Sequence, residues 1–180
     1  TEDWNTAYTA ADEKGAITGG VITGGTGIIN GNNTCGGGVS VNDNRANFIM
    51  EGGTISGNSA DEGGGVYVHI GTFIMMGGEI SGNNAAEWGG GVEMYGGTFE
   101  MSGGEILYNN ASQGGGVDVY DGTFEMSSGY FGANTIYRYG GTVYITGGYF
   151  ASDPASYVSE GYINGSTHTV VQLSDENHYG

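Results

Sequence analysis

The chain has 180 residues, enough for one domain with a continuous core, and 40 of them are glycine against a single proline. Without a G-X-Y period the glycines exclude collagen, and the aromatic and β-branched content excludes disorder, which leaves many short strands joined by Gly-rich turns. Twenty acidic residues face three basic ones, a formal charge of −17, so Lys14, Arg45 and Arg138 cannot make a nucleic-acid footprint and an anionic membrane repels the chain.

In chain order, residues 1–16 carry no repeat, and DWNTAYTAADEK reads as a short helix, an irregular cap or a leader segment. AITGGVITGGTGIINGN (16–32) reads as strand-and-bend material of an incomplete first coil. Repeats then dominate residues 17–150. GGGV begins at Gly36, Gly63, Gly89 and Gly114, and each copy is followed by a second string: NFIMEGGTISGN (47–58), TFIMMGGEISGN (72–83), TFEMSGGEILYN (98–109) and TFEMSSGYFGAN (123–134). A fifth copy, TVYITGGYF, starts at Thr142.

Within a copy, apolar residues recur at i and i+2, the period of a strand. Aligned copies give columns: Val39, Val66, Val92, Val117 and Ile136; Val41, Val68, Met94 and Val119; Phe48, Phe73, Phe99, Phe124 and Val143; Met50, Met75, Met101, Met126 and Ile145; Ile29, Ile55, Ile80, Ile106, Phe131 and Phe150. No copy buries its apolar face alone, so copies must stack. The pattern predicts an all-β fold, a single-stranded right-handed parallel β-helix (solenoid) with three short strands per coil and about five coils plus end caps. Asn32, Asn58, Asn83, Asn109, Asn134 and Asp153 form a polar column, expected to be a structural ladder of stacked side chains. Thr34, Ala60, Ala85 and Ala111 fill a tight corner.

The fifth copy is shortened, which sets Arg138 in the apolar column of Val119 and predicts a register shift or the opening of the coil into a cap. Residues 151–180 lose the repeat and read as a C-terminal cap, with THTVVQL as a strand.

The run from GGTISGNSADEGGGVYVHI to GGTFEMSGG resembles the tandem repeats of large surface proteins from gut-dwelling and other anaerobic bacteria, and its GGxI and FxM elements are similar to polymorphic outer-membrane and adhesin-like β-helix repeats. The likeness covers roughly residues 20–165. It implies an extracellular or bacterial cell-surface location and an adhesin-like role, and it supplies no catalytic motif.

The side of the GGGV strand away from the core carries the most varied chemistry. One column, expected to be exposed, reads Ser40, Tyr67, Glu93, Asp118 and Tyr137; its neighbour reads Asn42, His69, Tyr95, Tyr120 and Tyr139, with Trp88 at the rim. Aromatic faces beside carboxylates suit sugar rings, so these residues are the candidate contact for a glycan or a host or cell-surface protein. The plainer reading is that tyrosine suits strands and acids keep the surface soluble.

Three other functions compete with this one. A purely structural stalk needs no site. A polysaccharide-cleaving glycoside hydrolase would use Glu93 and Asp118, one coil apart, but the face lacks the long loops of a cleft. An ice binder would need a second threonine column beside Asn47, Thr72, Thr98, Thr123 and Thr142, where Ile49, Ile74, Glu100 and Glu125 stand instead.

No cofactor is expected. The three histidines are scattered, and the stacked pairs Glu79/Glu105 and Glu100/Glu125 supply too few ligands for calcium. Cys35, the single cysteine, excludes an intrachain disulfide and reads as an inert thiol. No apolar run is long enough to span a membrane. The oligomeric state is not legible.

Overall fold

The structure, a computed structural model, describes residues 8–10, 14–17, 19–30, 33–132 and 134–151. Among them there is no helix, and 20 strands form three sheets. Nearly all pairings are parallel, which winds the chain into a β-solenoid of about four turns. Rungs beginning at Val39, Val66, Val92, Val117 and Ile136 match the five repeat copies; five rungs enclose about four turns, the last ending at Phe150.

The largest sheet contains the VxV and FxM segments. In the first two rungs these run on as single strands, Val39–Met50 and Val66–Met75; in later rungs a Gly-Gly or Asp-Gly bend divides them. The second sheet carries the GGxI segments Thr54–Ser56, Glu79–Ser81, Glu105–Leu107, Tyr130–Gly132 and Tyr149–Phe150. The third is built from the corners, including Ser59–Glu62 and Asn84–Trp88, so a segment read from sequence as a bend is itself a strand, with a bulge between Ala85 and Trp88.

The apolar columns stack in register: Val66 on Val92 on Val117, and Phe73 on Phe99 on Phe124. The phenylalanine rings of successive rungs lie 4.5–5.1 Å apart between Phe48 and Phe124. All these side chains are buried, as are the methionines beneath them. The asparagine ladder is equally regular. Asn83 Nδ2 donates to Ile55 O and to Asn109 Oδ1, while Asn83 Oδ1 accepts from the Asn58 backbone N–H and from Asn58 Nδ2. Asn109 and Asn134 continue the ladder; Asn32 and Asp153 lie outside the described residues.

The GGG triplet recurs for two reasons. Gly89 has φ of +62°, a left-handed conformation that L side chains resist. Gly91 has no such need, but a Cβ there would lie 2.5 Å from the Gly116 carbonyl oxygen of the next rung. The triplet's N–H groups donate to that rung at 3.0–3.1 Å, which holds the backbones at sheet distance.

Several placements differ from the sequence reading. Tyr8–Ala10 and Lys14–Ile17 are strands, paired in parallel with Val39–Val41 and Asn47–Met50; the first and the start of the second fall where a helix or irregular cap was expected, and Ile17 falls in the expected strand-and-bend material. Ile22, not Ile29, heads the Ile55 column; Ile28–Asn30 instead turns back to pair antiparallel with Asn33–Cys35. In consequence Gly25 sits above the asparagine ladder and donates its N–H to Asn58 Oδ1. No register shift occurs at Arg138, which pairs with Val119; it is half-buried in the last described rung and donates to the Gly141 carbonyl at 2.6 Å. Its long aliphatic stem lets the charged head reach that backbone acceptor.

Candidate functional site

Three columns run side by side, the first on the corner sheet and the other two on the largest sheet. The corner column holds Glu62, Trp88 and Gln113, bridged rung to rung. Next comes Tyr67, Glu93, Asp118 and Tyr137, also in register. The third holds His69, Tyr95, Tyr120 and Tyr139. Between the outer two lies a groove of about 430 Å³ lined by Glu62, Trp88, Glu93, Tyr95, Gln113, Asp118, Tyr120, Tyr137 and Tyr139. That volume falls within the range of small-ligand sites, roughly 300–1,000 Å³.

The middle column is not exposed, contrary to the sequence reading. Ser40 and Tyr67 are buried, and Glu93 and Asp118 are each only 2% exposed. The cause is the glycine turn that precedes them. Each triplet's first glycine folds against the residue four positions on: a Cβ at Gly89 would lie 2.6 Å from Glu93 Cα, and one at Gly114 would lie 2.6 Å from Asp118 Cβ. The tyrosine column rises on the other side, so the acids form a floor. Tyr137, at the end of the column, is half-buried.

Burial without compensation governs the floor's electrostatics. Glu93 Oε2 and Asp118 Oδ1 are buried with no hydrogen-bond partner. Desolvation, then the Asp118 charge, then the Glu62 charge push the Glu93 carboxyl well above the usual range. Desolvation pushes Asp118 up to about 7, opposed by the hydrogen bond from the Val119 N–H. The two acids stand in register on neighbouring strands, whose backbones lie about 4.8 Å apart, and titrate as a pair. Tyr67 is likewise raised by burial. Beneath the corner, burial and Glu62 push the Cys35 thiol up to about 12, in keeping with an inert residue.

The tyrosine column stands at the surface as expected, with a different presentation. Tyr95 and Tyr120 stack at 5.1 Å and 11°, and Tyr120 and Tyr139 at 5.2 Å and 2°. Tyr95 also meets His69, at 5.2 Å. Both faces of Tyr120 are therefore covered, and the ladder offers ring edges and hydroxyls to the groove. Tyr139, the last described ring of the ladder, is 70% exposed, and Trp88 on the opposite wall is 37% exposed and offers the groove an indole surface. Asn42 pairs by backbone with Ile70 rather than His69, yet its Oδ1 lies 2.6 Å from His69 Nδ1.

The structure thus brings together Trp88, Glu93, Tyr95, Asp118, Tyr120, Tyr137 and Tyr139, and leaves Tyr67 and His69 at the edge of the same grid. Sequence reasoning missed Glu62 and Gln113. Their signal was available, because each immediately precedes a GGG, as Trp88 does.

Elsewhere, a recess of about 510 Å³ is lined by Glu100, Glu125 and Tyr144 among others, where the glutamates are exposed and solvated. The pairs Glu79/Glu105 and Glu100/Glu125 stack in register. No group of three or more His, Cys, Asp or Glu among the described residues could hold a metal, and no helix among them is long and apolar enough to cross a membrane. No protein-family model, curated protein or solved structure matches the chain, which leaves the groove's own chemistry as the guide to its role.

Proposed function

We propose that this chain is a non-catalytic, adhesin-like module of a secreted or cell-surface protein, and that it binds a glycan lengthwise in the groove between Trp88 and the tyrosine ladder. The observation that carries this reading is the pair of buried, unpartnered carboxyl oxygens at the floor of an aromatic-walled cleft. A solenoid that only spaced other domains apart would gain nothing from that burial, which costs stability. The groove runs along the stacking direction, so a linear polymer meets the Tyr95, Tyr120 and Tyr139 hydroxyls on successive rungs and the Glu93 and Asp118 carboxyls on two of them. Trp88 and Tyr139 supply surfaces for sugar C–H groups.

Hydrolysis is the weaker reading, although the acids stand near the roughly 5 Å separation of a retaining pair. A retaining mechanism needs one carboxylate held ionised as nucleophile. Here burial raises both acids, and among the described residues no hydrogen bond stabilises Glu93 as an anion.

A glycan array probed with the wild type and with a Tyr95→Ala/Tyr120→Ala double variant tests the proposal. Binding of a defined set of glycans that the double variant loses supports it. Equal binding by both removes the groove from the site, and binding of the wild type to a protein but to no glycan overturns the glycan reading. Release of reducing ends from any bound polysaccharide would overturn the non-catalytic reading.

A further inference from the structure

The floor of the groove has an unmet electrostatic requirement. Glu93 and Asp118 face it from neighbouring rungs, Glu62 adds a third carboxyl from the corner, and one oxygen of each floor acid has no partner. Of the two arginines, Arg45 stands in the first rung beside Asp43, and Arg138 lies in the core-side column. Neither lines the groove. The hydroxyls of a neutral ligand can donate to these oxygens but leave the negative charge of the ionised pair uncompensated.

A cation resolves this, and the geometry selects its kind. A hard metal ion wants six to eight oxygen ligands, more than this floor supplies. A guanidinium prefers one carboxylate presented edge-on to its planar fork, whereas these two sit one above the other on separate strands. A primary ammonium is compact, carries three donors and can bridge acceptors presented by residues in register on adjacent strands. The hydroxyls that Tyr95 and Tyr120 present to the groove offer it further acceptors.

Resting on the glycan reading above, we propose that the groove recognises an amino sugar, holding its free primary ammonium over Glu93 and Asp118. The selectivity is for a de-N-acetylated sugar over its acetylated counterpart, because acetylation removes both the charge and two of the three donors.

Isothermal titration calorimetry of the 180-residue chain tests this with three probes: a β-1,4-linked glucosamine hexamer, the matching N-acetylglucosamine hexamer and a capped Gly-Lys-Gly peptide. The glucosamine hexamer should bind at least about tenfold more tightly than the acetylated one, a modest share of the coupling measured for close charge pairs. Glu93→Gln/Asp118→Asn, isosteric and neutral, should erase that difference while circular dichroism shows the solenoid intact. Glu100→Gln/Glu125→Gln, which removes the same charge from another recess, should leave it unchanged. Equal affinity for both hexamers overturns the ammonium inference and leaves the glycan reading standing. Binding of the lysine peptide alone keeps the ammonium chemistry and overturns its assignment to a sugar. Equal loss in the two double variants shows diffuse attraction to an acidic protein and overturns the site, and no binding of any probe overturns the inference as a whole.

Discussion

Replacing Asn83 by alanine should be among the most damaging single changes in the solenoid. The side chain is 1% exposed and takes part in four hydrogen bonds that join three consecutive rungs. Truncation leaves the Asn58 backbone N–H and the Ile55 carbonyl buried without those partners, whereas Asn58 Nδ2 keeps its bond to Ile22 O. Each orphaned group costs about 1–3 kcal/mol, so the expected loss is about 2–5 kcal/mol. The matched control is Asn110→Ala, at an exposed position whose side chain makes one bond, to Asn84, where a loss of about 0.5 kcal/mol or less is expected. Urea denaturation followed by circular dichroism and by tyrosine and tryptophan fluorescence measures both. If Asn83→Ala unfolds within about 0.5 kcal/mol of the wild type, the ladder is not what ties the rungs together.

The glycine triplet separates space from backbone conformation. Gly91→Ala forces a Cβ against the Gly116 carbonyl and should cost roughly 2 kcal/mol or more, whereas Gly82→Ala meets no atom within 4 Å and bears only the strain of φ +60°, about 1 kcal/mol; thermal melts rank the two. The acid pair makes stability pH-dependent. Asp118 holds its proton in the folded state up to about 7 against 3.8 unfolded, so the folded state binds more protons in that window and stability falls as pH rises through it. At about 1.4 kcal/mol per unit the contribution of Asp118 to the decline from pH 5 to 7 is roughly 2–3 kcal/mol, to which the raised Glu93 adds its own, so Asp118→Asn should make the profile shallower and raise the melting temperature at pH 8. A variant as steep as the wild type would contradict this. Cys35, 2% exposed with its thiol pushed up to about 12, should carry on the order of a thousandth of an ordinary thiol's thiolate at pH 8, so alkylation should await unfolding; rapid native labelling would contradict its burial.

Much of the fold was legible because a solenoid repeats one local solution. The columns of valine, phenylalanine, methionine and asparagine followed from copies 25 to 27 residues apart, and each stacks as the alignment implies. Failures came where the period breaks. GGVI at 19–22 is a genuine GGxI element, but the extra antiparallel segment after it made Ile29 look like the head of the column. The YTA and KGAI strands near the start share no sequence signature with the rungs they pair with, since backbone pairing asks little of the side chains. At the candidate site, alternation correctly put Glu93 and Asp118 on the side away from the core. It could not show that the glycine turn folds over them, because that burial arises from residues with no side chain. Nor could it show that the tyrosines cover one another's faces, which follows from their 5 Å stacking.

The most direct test of the central claim is a crystal structure of the chain soaked with the glucosamine hexamer. The sugar should lie between Trp88 and the Tyr95–Tyr120–Tyr139 ladder, with an amine nitrogen within hydrogen-bonding distance of Glu93 or Asp118. Density in the Glu100–Glu125–Tyr144 recess with the groove empty would contradict the account.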